Sequence, residues 1–218
     1  MLYIVSTPIG NLGDISFRAI ETLKKCDYIL AEDTRRTIVL LKHYSIEKRL
    51  VSFDEFRERK KTQEVIEDLQ KGLEIAIVSD SGTPLISDPG FFLVRECIKN
   101  KIGISPIPGP TAAIAALSCS GLPADRFTFY GFIPKDNSKR NKMYKEITER
   151  EETAILYESP YRLLKTIGEM VQKTPEKEVV IAREITKKFE EFIRGKPKEL
   201  YEKLSGKKIK GEIVILIR

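Results

Sequence analysis

Residues 78–90 read Val78-Ser79-Asp80-Ser81-Gly82-Thr83-Pro84-Leu85-Ile86-Ser87-Asp88-Pro89-Gly90, a short stretch rich in hydroxyls, carboxylates, glycine and proline. Glycine and proline restrict where the backbone can go, and the polar side chains offer hydrogen bonds suited to a polar small molecule. The stretch follows the apolar, β-branched run 73–78 and precedes helical spacing from Phe91, so it is a strand-to-helix loop. Loops at the carboxyl ends of strands in open α/β sheets are where ligands bind. Asp88 and Pro89 also fit a plain helix start, as N-cap and first helical residue, but that leaves residues 80–84 unexplained. Four further loops, at 6–14, 32–37, 108–113 and 157–162, follow expected strands and carry unusual chemistry. Gly10 and Gly109 stand where a backbone must pass close to a ligand. Thr111, at a helix start, offers a hydroxyl and free N–H groups. No Walker A or G-x-G-x-x-G spacing occurs. A pocket shaped by Gly and Pro with few fixed positive charges suits a cationic or zwitterionic cofactor.

The elements that would hold these loops alternate. Strands are expected at 2–5, 28–31, 50–53, 73–78 and 104–107, with helices from Ser16, over 37–44, over 60–71, from Phe91 and over 112–118. This is an α/β domain with a mainly parallel sheet. The second half reads as strands at 127–130, 153–157, 179–182, 191–194 and 212–217. No helix-length spacer separates the strands around residues 186–194, so the second sheet is mixed or antiparallel. The expected domains are 1–109 and 110–218, close-packed and sharing a cleft.

The 218 residues, 41% hydrophobic and 32% charged, describe a globular protein long enough for a sizeable core. No run approaches a membrane span and no signal peptide opens the chain, so a cytoplasmic protein is expected. Cys26, Cys97 and Cys119 read as buried free thiols, with no metal site. His43 is the only histidine, which disfavours His-based zinc sites. A net charge of +6 points to a polyanionic partner. Its clusters fall at 35–61, 135–150 and 196–210, the last with six Lys against two Glu.

Six blocks, in order, resemble a known family: residues 5–12, 31–37, 79–84, 106–113, 157–160 and 182–187. They are similar to the small-subunit ribosomal RNA methyltransferase I family of the tetrapyrrole methylase superfamily. The resemblance implies a two-domain fold, usually a homodimer, with S-adenosylmethionine in the cleft between the domains. It implies methylation of a cytidine ribose 2′-hydroxyl in the decoding region, on small-subunit ribosomal RNA or the assembled subunit. Carried over by motif, cofactor contacts would be Pro8, Ile9, Gly10, Asp80, Ser81, Gly82, Thr83, Ile86, Thr111, Ala112, Tyr157 and Ile185. Three departures stand out. Residues 52–57 replace a His-rich segment, Tyr161 replaces a His, and the chain stops at Arg218 without the extension many members have.

Methyl transfer to a hydroxyl is an in-line displacement, in which alignment dominates and a base assists. The base candidates are Glu32, Asp33, Glu158 and Glu184. Asp33 or Glu158 would orient the hydroxyl, and Arg35, Arg36 and Arg183 would hold neighbouring phosphates. Lys139 and Arg140, in the second basic cluster, would extend the RNA surface. Tyr130, Phe132, Tyr144 and Tyr161 could stack on unpaired bases. Two alternatives stay open: a methyltransferase acting on a tetrapyrrole or other small or protein substrate, and a catalytically silent, cofactor-sensing RNA-binding protein.

Overall fold

A computed structural model describes residues 1–218, which divide into two compact units, Met1–Thr111 and Ala112–Arg218. In the first unit, β1 (Leu2–Val5), β2 (Tyr28–Ala31), β3 (Arg49–Ser52), β4 (Ile75–Val78) and β5 (Ile104–Ile107) form a parallel sheet in the order β3-β2-β4-β1-β5. The helices α1 (Phe17–Lys25), α2 (Thr34–His43), α3 (Glu55–Gln70) and α4 (Phe91–Lys99) cover it. Alternation within the strands decides which helix meets which face. Ile29, Ala31, Ala76 and Val78 pack with Leu23 of α1 and Leu40 and Leu41 of α2. Tyr28, Leu30, Ile75 and Ile77 pack with Val65, Ile66 and Leu69 of α3 and Leu93 of α4. The four residues of β2 and of β4 are buried on both faces, which explains their unbroken apolar runs.

The second unit has the sheet order β6-β7-β10-β8-β9, from β6 (Phe127–Phe132), β7 (Thr153–Glu158), β8 (Val179–Arg183), β9 (Glu191–Gly195) and β10 (Ile213–Ile217). β6 and β7 run parallel, while β10 is antiparallel to β7 and β8, and β8 to β9. The sheet is therefore mixed, as the short 186–194 spacing demands. α5 (Ala112–Ser120) contacts β7, β8 and β10. Three helices absent from the sequence reading, α6 (Asn137–Glu149), α7 (Leu163–Lys173) and α8 (Pro197–Leu204), bury one core with Leu156, Ile181 and Ile215.

Boundaries shift where side-chain caps act. Asp33 caps α2 through the Arg35 N–H and Asp54 caps α3 through those of Phe56 and Arg57, so both helices begin earlier than apolar spacing alone suggests. Phe17, the first residue of α1, is exposed, as is Cys119; Cys26 and Cys97 are buried. His43 is exposed on the last turn of α2.

Candidate functional site

In the first unit the sheet order makes β1 and β4 neighbours whose following connections diverge. The chain after β1 goes to α1 on one face, and the chain after β4 goes to α4 on the other. That is a topological switch point, where a crevice opens beyond the strand ends. Three loops meet there. Thr7 and Gly82 form an antiparallel bridge, with the Thr7 N–H donating to Gly82 at 2.8 Å and the Gly82 N–H to Thr7 at 3.1 Å. The Thr7 hydroxyl donates to the Ser79 carbonyl at 3.3 Å. The hydroxyls of Ser6 and Thr83 lie 3.0 Å apart, and Thr83 donates to the Pro110 carbonyl at 3.1 Å.

Two glycines make this lacing possible. Gly82 has φ of +85°, and a Cβ at Gly109 would lie 2.8 Å from the Ser6 Cβ. The loop after β2 joins through Asp80, whose carboxylate accepts the Asp33 N–H at 2.9 Å and pairs with Arg36 at 3.4 Å. Pro8, Ser81 and Thr111 are half-buried, Ile9 is buried, and Gly10 and Ile86 are exposed. Leu85 and Ser87 adopt left-handed φ of 72° and 69°. Such φ values in non-glycine residues cluster at functional loops.

Carboxylates gather around this loop. Burial pushes the Asp88 carboxyl up to about 6, with repulsion from Glu32 and Asp80 adding to it and the Ser79 hydroxyl opposing. Burial likewise raises Glu32. Asp33 goes the other way, down to about 2, because the Arg35 guanidinium occupies both its oxygens at 3.0 and 2.7 Å. With both oxygens engaged by Arg35, Asp33 stays ionised, as its neighbouring cations lead one to expect. Its observed work is capping α2 and holding Arg35.

The expected cap of α4 also needs correction. Asp88 and Pro89 lie outside the helix, and Gly90 sits at its N-cap without a side-chain bond. The cap comes from α3 instead. One oxygen of the buried Glu58 accepts the N–H groups of Gly90, Phe92 and Leu93 at 3.1, 2.8 and 3.2 Å. A signal for it exists in the sequence, since Glu58 shares the apolar face of Thr62, Val65, Ile66 and Leu69.

In the second unit, Glu158 ends β7 with its side chain fully buried. It accepts the Thr166 hydroxyl and the Ser159 N–H, each at 2.7 Å, with Arg162 at 3.5 Å. Its oxygens are enclosed by these partners, and its observed work is to hold the start of the 159–166 segment. Tyr157 packs its ring against Phe129 and Phe132, and Ile185 is buried in the β8–β9 connection.

Two of the expected RNA contacts are engaged within the protein. Arg140 is 6% exposed and gives its donors to Glu169, at 2.7 and 3.0 Å, to Asn137 and to the carbonyls of Pro134 and Lys135. Arg183 pairs with Glu191 at 3.1 Å and donates to the Lys210 carbonyl at 3.1 Å. Tyr144 is core rather than a stacking platform, while Phe132 and Tyr161 are exposed. Arg35, Arg36 and Lys139 remain exposed. Glu184 is held by Lys187 at 2.9 Å and accepts the Glu212 N–H at 3.0 Å.

Comparison with known proteins matches residues 1–201 to the family described as Tetrapyrrole (Corrin/Porphyrin) Methylases. The chain is 45% identical to a Thermotoga maritima protein named Ribosomal RNA small subunit methyltransferase I, over 99% of this chain and 97% of that one. It is 46% identical to a Vibrio cholerae protein of the same name, covering 100% and 76%. Among solved structures, a Thermus thermophilus uroporphyrin III C-methyl transferase matches with TM-score 0.68 at 15% identity, covering 99% and 96%. A diphthine synthase matches with TM-score 0.74 at 12% identity, covering 99% and 88%. At those identities the two structures share the fold.

Proposed function

Because the chain belongs to the tetrapyrrole (corrin/porphyrin) methylase family and is a methyltransferase that uses S-adenosylmethionine, we propose that it methylates the ribose 2′-hydroxyl of a cytidine in small-subunit ribosomal RNA. The observation that carries the cofactor's place is the lacing of residues 6–10, 79–86 and 108–111 at the switch point of the first sheet. The residues fit that cofactor. Gly82 and Gly109 let the three loops close on one another, and Asp80, Asp88 and Glu32 give a negative field suited to a cationic ligand. Pro8, Ile9, Gly10, Asp80, Ser81, Gly82, Thr83, Ile86 and Thr111 would hold it.

When bound, S-adenosylmethionine supplies a methyl group on a sulfonium that a hydroxyl oxygen can displace. The chain's own part is alignment, and the hydrogen bonds among these loops limit how far they can drift. Asp88 and Glu32, whose basicity is raised, suit the acceptance of a proton from the attacking hydroxyl. Arg35 and Arg36, exposed beside Asp80, suit the phosphates flanking the target ribose. We read the enzyme as a cytoplasmic homodimer; no helix is long and apolar enough to cross a membrane.

The test is transfer of labelled methyl to unmodified small ribosomal subunits, with naked ribosomal RNA and a tetrapyrrole precursor in parallel. The expected result is label in RNA, resistant to alkaline cleavage at one nucleotide. Label in the tetrapyrrole alone overturns the reading.

A further inference from the structure

Of the three basic clusters, the one near the C-terminus surrounds a concavity. Leu163, Ile181, Ile193, Leu204 and Ile209 form the apolar lining of a space of about 430 Å³. Lys203, Lys207, Lys208 and Lys210 surround it, together with Phe189 from the β8–β9 connection. It contains two carboxylates, Glu191 and Glu184, and both already have cationic partners in Arg183 and Lys187. None of the four lysines makes an ion pair, so the concavity presents four unneutralised ammonium groups.

The lysine segment is fastened rather than loose. Arg183 donates to the Lys210 carbonyl, and Lys187 bridges Glu184 and Glu212, each at 2.9 Å. Gly211 lies so close to Glu184 that a Cβ there would clash at 2.4 Å. Phe189 is 63% exposed beside this fastened segment. An exposed aromatic ring among unpaired cations matches a base bracketed by phosphates, since base faces stack on aromatic rings and the backbone seeks cations.

The position fits a substrate track. β7 and β8 run parallel, each antiparallel to β10, so their carboxyl ends share one edge of the second sheet. Tyr157 and Glu158 lie at the end of β7, and Arg183 at the end of β8. The concavity thus lies at the edge that carries this unit's expected cofactor residues.

We propose that this concavity is a binding subsite for single-stranded RNA, with Lys203, Lys207, Lys208 and Lys210 on phosphates and Phe189 stacked on one base. The proposal rests on the RNA methyltransferase reading and adds where a strand beyond the target nucleotide is held. The full chain, its Lys207→Ala/Lys208→Ala variant and its Phe189→Ala variant would be titrated with a fluorescein-labelled single-stranded RNA oligonucleotide at several salt concentrations. Cofactor affinity and the kcat and KM for small subunits would be measured alongside. The altered side chains are exposed and make no hydrogen bond, so folding and cofactor affinity should be unchanged.

In the lysine variant the slope of log affinity against log salt should shrink by about 0.7 per lysine removed. Phe189→Ala should weaken RNA binding about fivefold or more with the slope retained. KM should rise in both while kcat holds. Unchanged RNA affinity in either variant, or a fall in kcat at constant KM, overturns the subsite. A wild-type chain that binds the oligonucleotide in this way yet methylates no RNA would instead overturn the activity and leave the subsite standing.

Discussion

Removing the carboxylate of Glu58 should loosen the loop that carries Asp80 and Gly82, although Glu58 lies on another helix. One Glu58 oxygen accepts three N–H groups at the start of α4, where Gly90 supplies no side chain of its own. A single hydrogen bond to a charged group contributes about 1.5–3 kcal/mol, but one shared oxygen does not count three times over. A negative charge at a helix N-terminus adds up to about 2 kcal/mol when partly buried. Glu58→Ala therefore should cost about 3–4 kcal/mol. Glu58→Gln keeps an acceptor of the same reach and loses only the charge, so about 1–2 kcal/mol is expected. Urea unfolding gives the totals, and amide hydrogen exchange locates them, because Gly90, Phe92 and Leu93 should exchange faster in both variants. Cofactor affinity should fall in the same order. Equal losses in the two variants, or unchanged protection at those three amides, would refute the assignment of the cap to charge.

Gly109→Ala should weaken cofactor binding about tenfold and cost about 1–3 kcal/mol, since its Cβ would sit 2.8 Å from the Ser6 Cβ; calorimetric titration and thermal unfolding check both. For Asp88, whose carboxyl rises to about 6 from near 3.8, the folded state holds the proton more tightly than the unfolded one. Its contribution to stability is thus present below about pH 4 and is lost as pH rises to about 6. Asp88→Asn should flatten stability across that window and lower kcat if Asp88 accepts the proton; unfolding at stepped pH and a pH–kcat profile report the two effects. Arg140→Ala should cost about 3 kcal/mol by stranding Glu169, while leaving the salt dependence of RNA binding unchanged. A smaller salt slope in that variant would return Arg140 to the RNA surface.

Much of this protein is written locally. The buried runs of β2, β4 and β10 announce themselves, because strands covered on both faces need continuous apolar residues. The polar loop at 79–90 is equally plain, since few other roles require Asp, Ser, Gly, Thr and Pro in such succession. The mixed character of the second sheet follows from the short spacing between β8 and β9. Helices α6, α7 and α8 are less visible, and α6 is hard to see because charged residues dominate it and only Arg140, Met143, Tyr144 and Ile147 turn inward.

The assignment of each charged side chain was a matter for the tertiary structure. Arg140 and Lys139 are neighbours in one basic run, yet one is buried against Glu169 and the other is exposed. Asp33 and Asp88 are the same residue type, yet Arg35 lowers one carboxyl to about 2 while burial raises the other to about 6. Glu58 reaches its partners 32 to 35 residues along the chain. Periodicity records which residues face a core, because that depends on near neighbours in the chain. Which charge finds a partner depends on groups brought together from far apart, and only the folded chain brings them together.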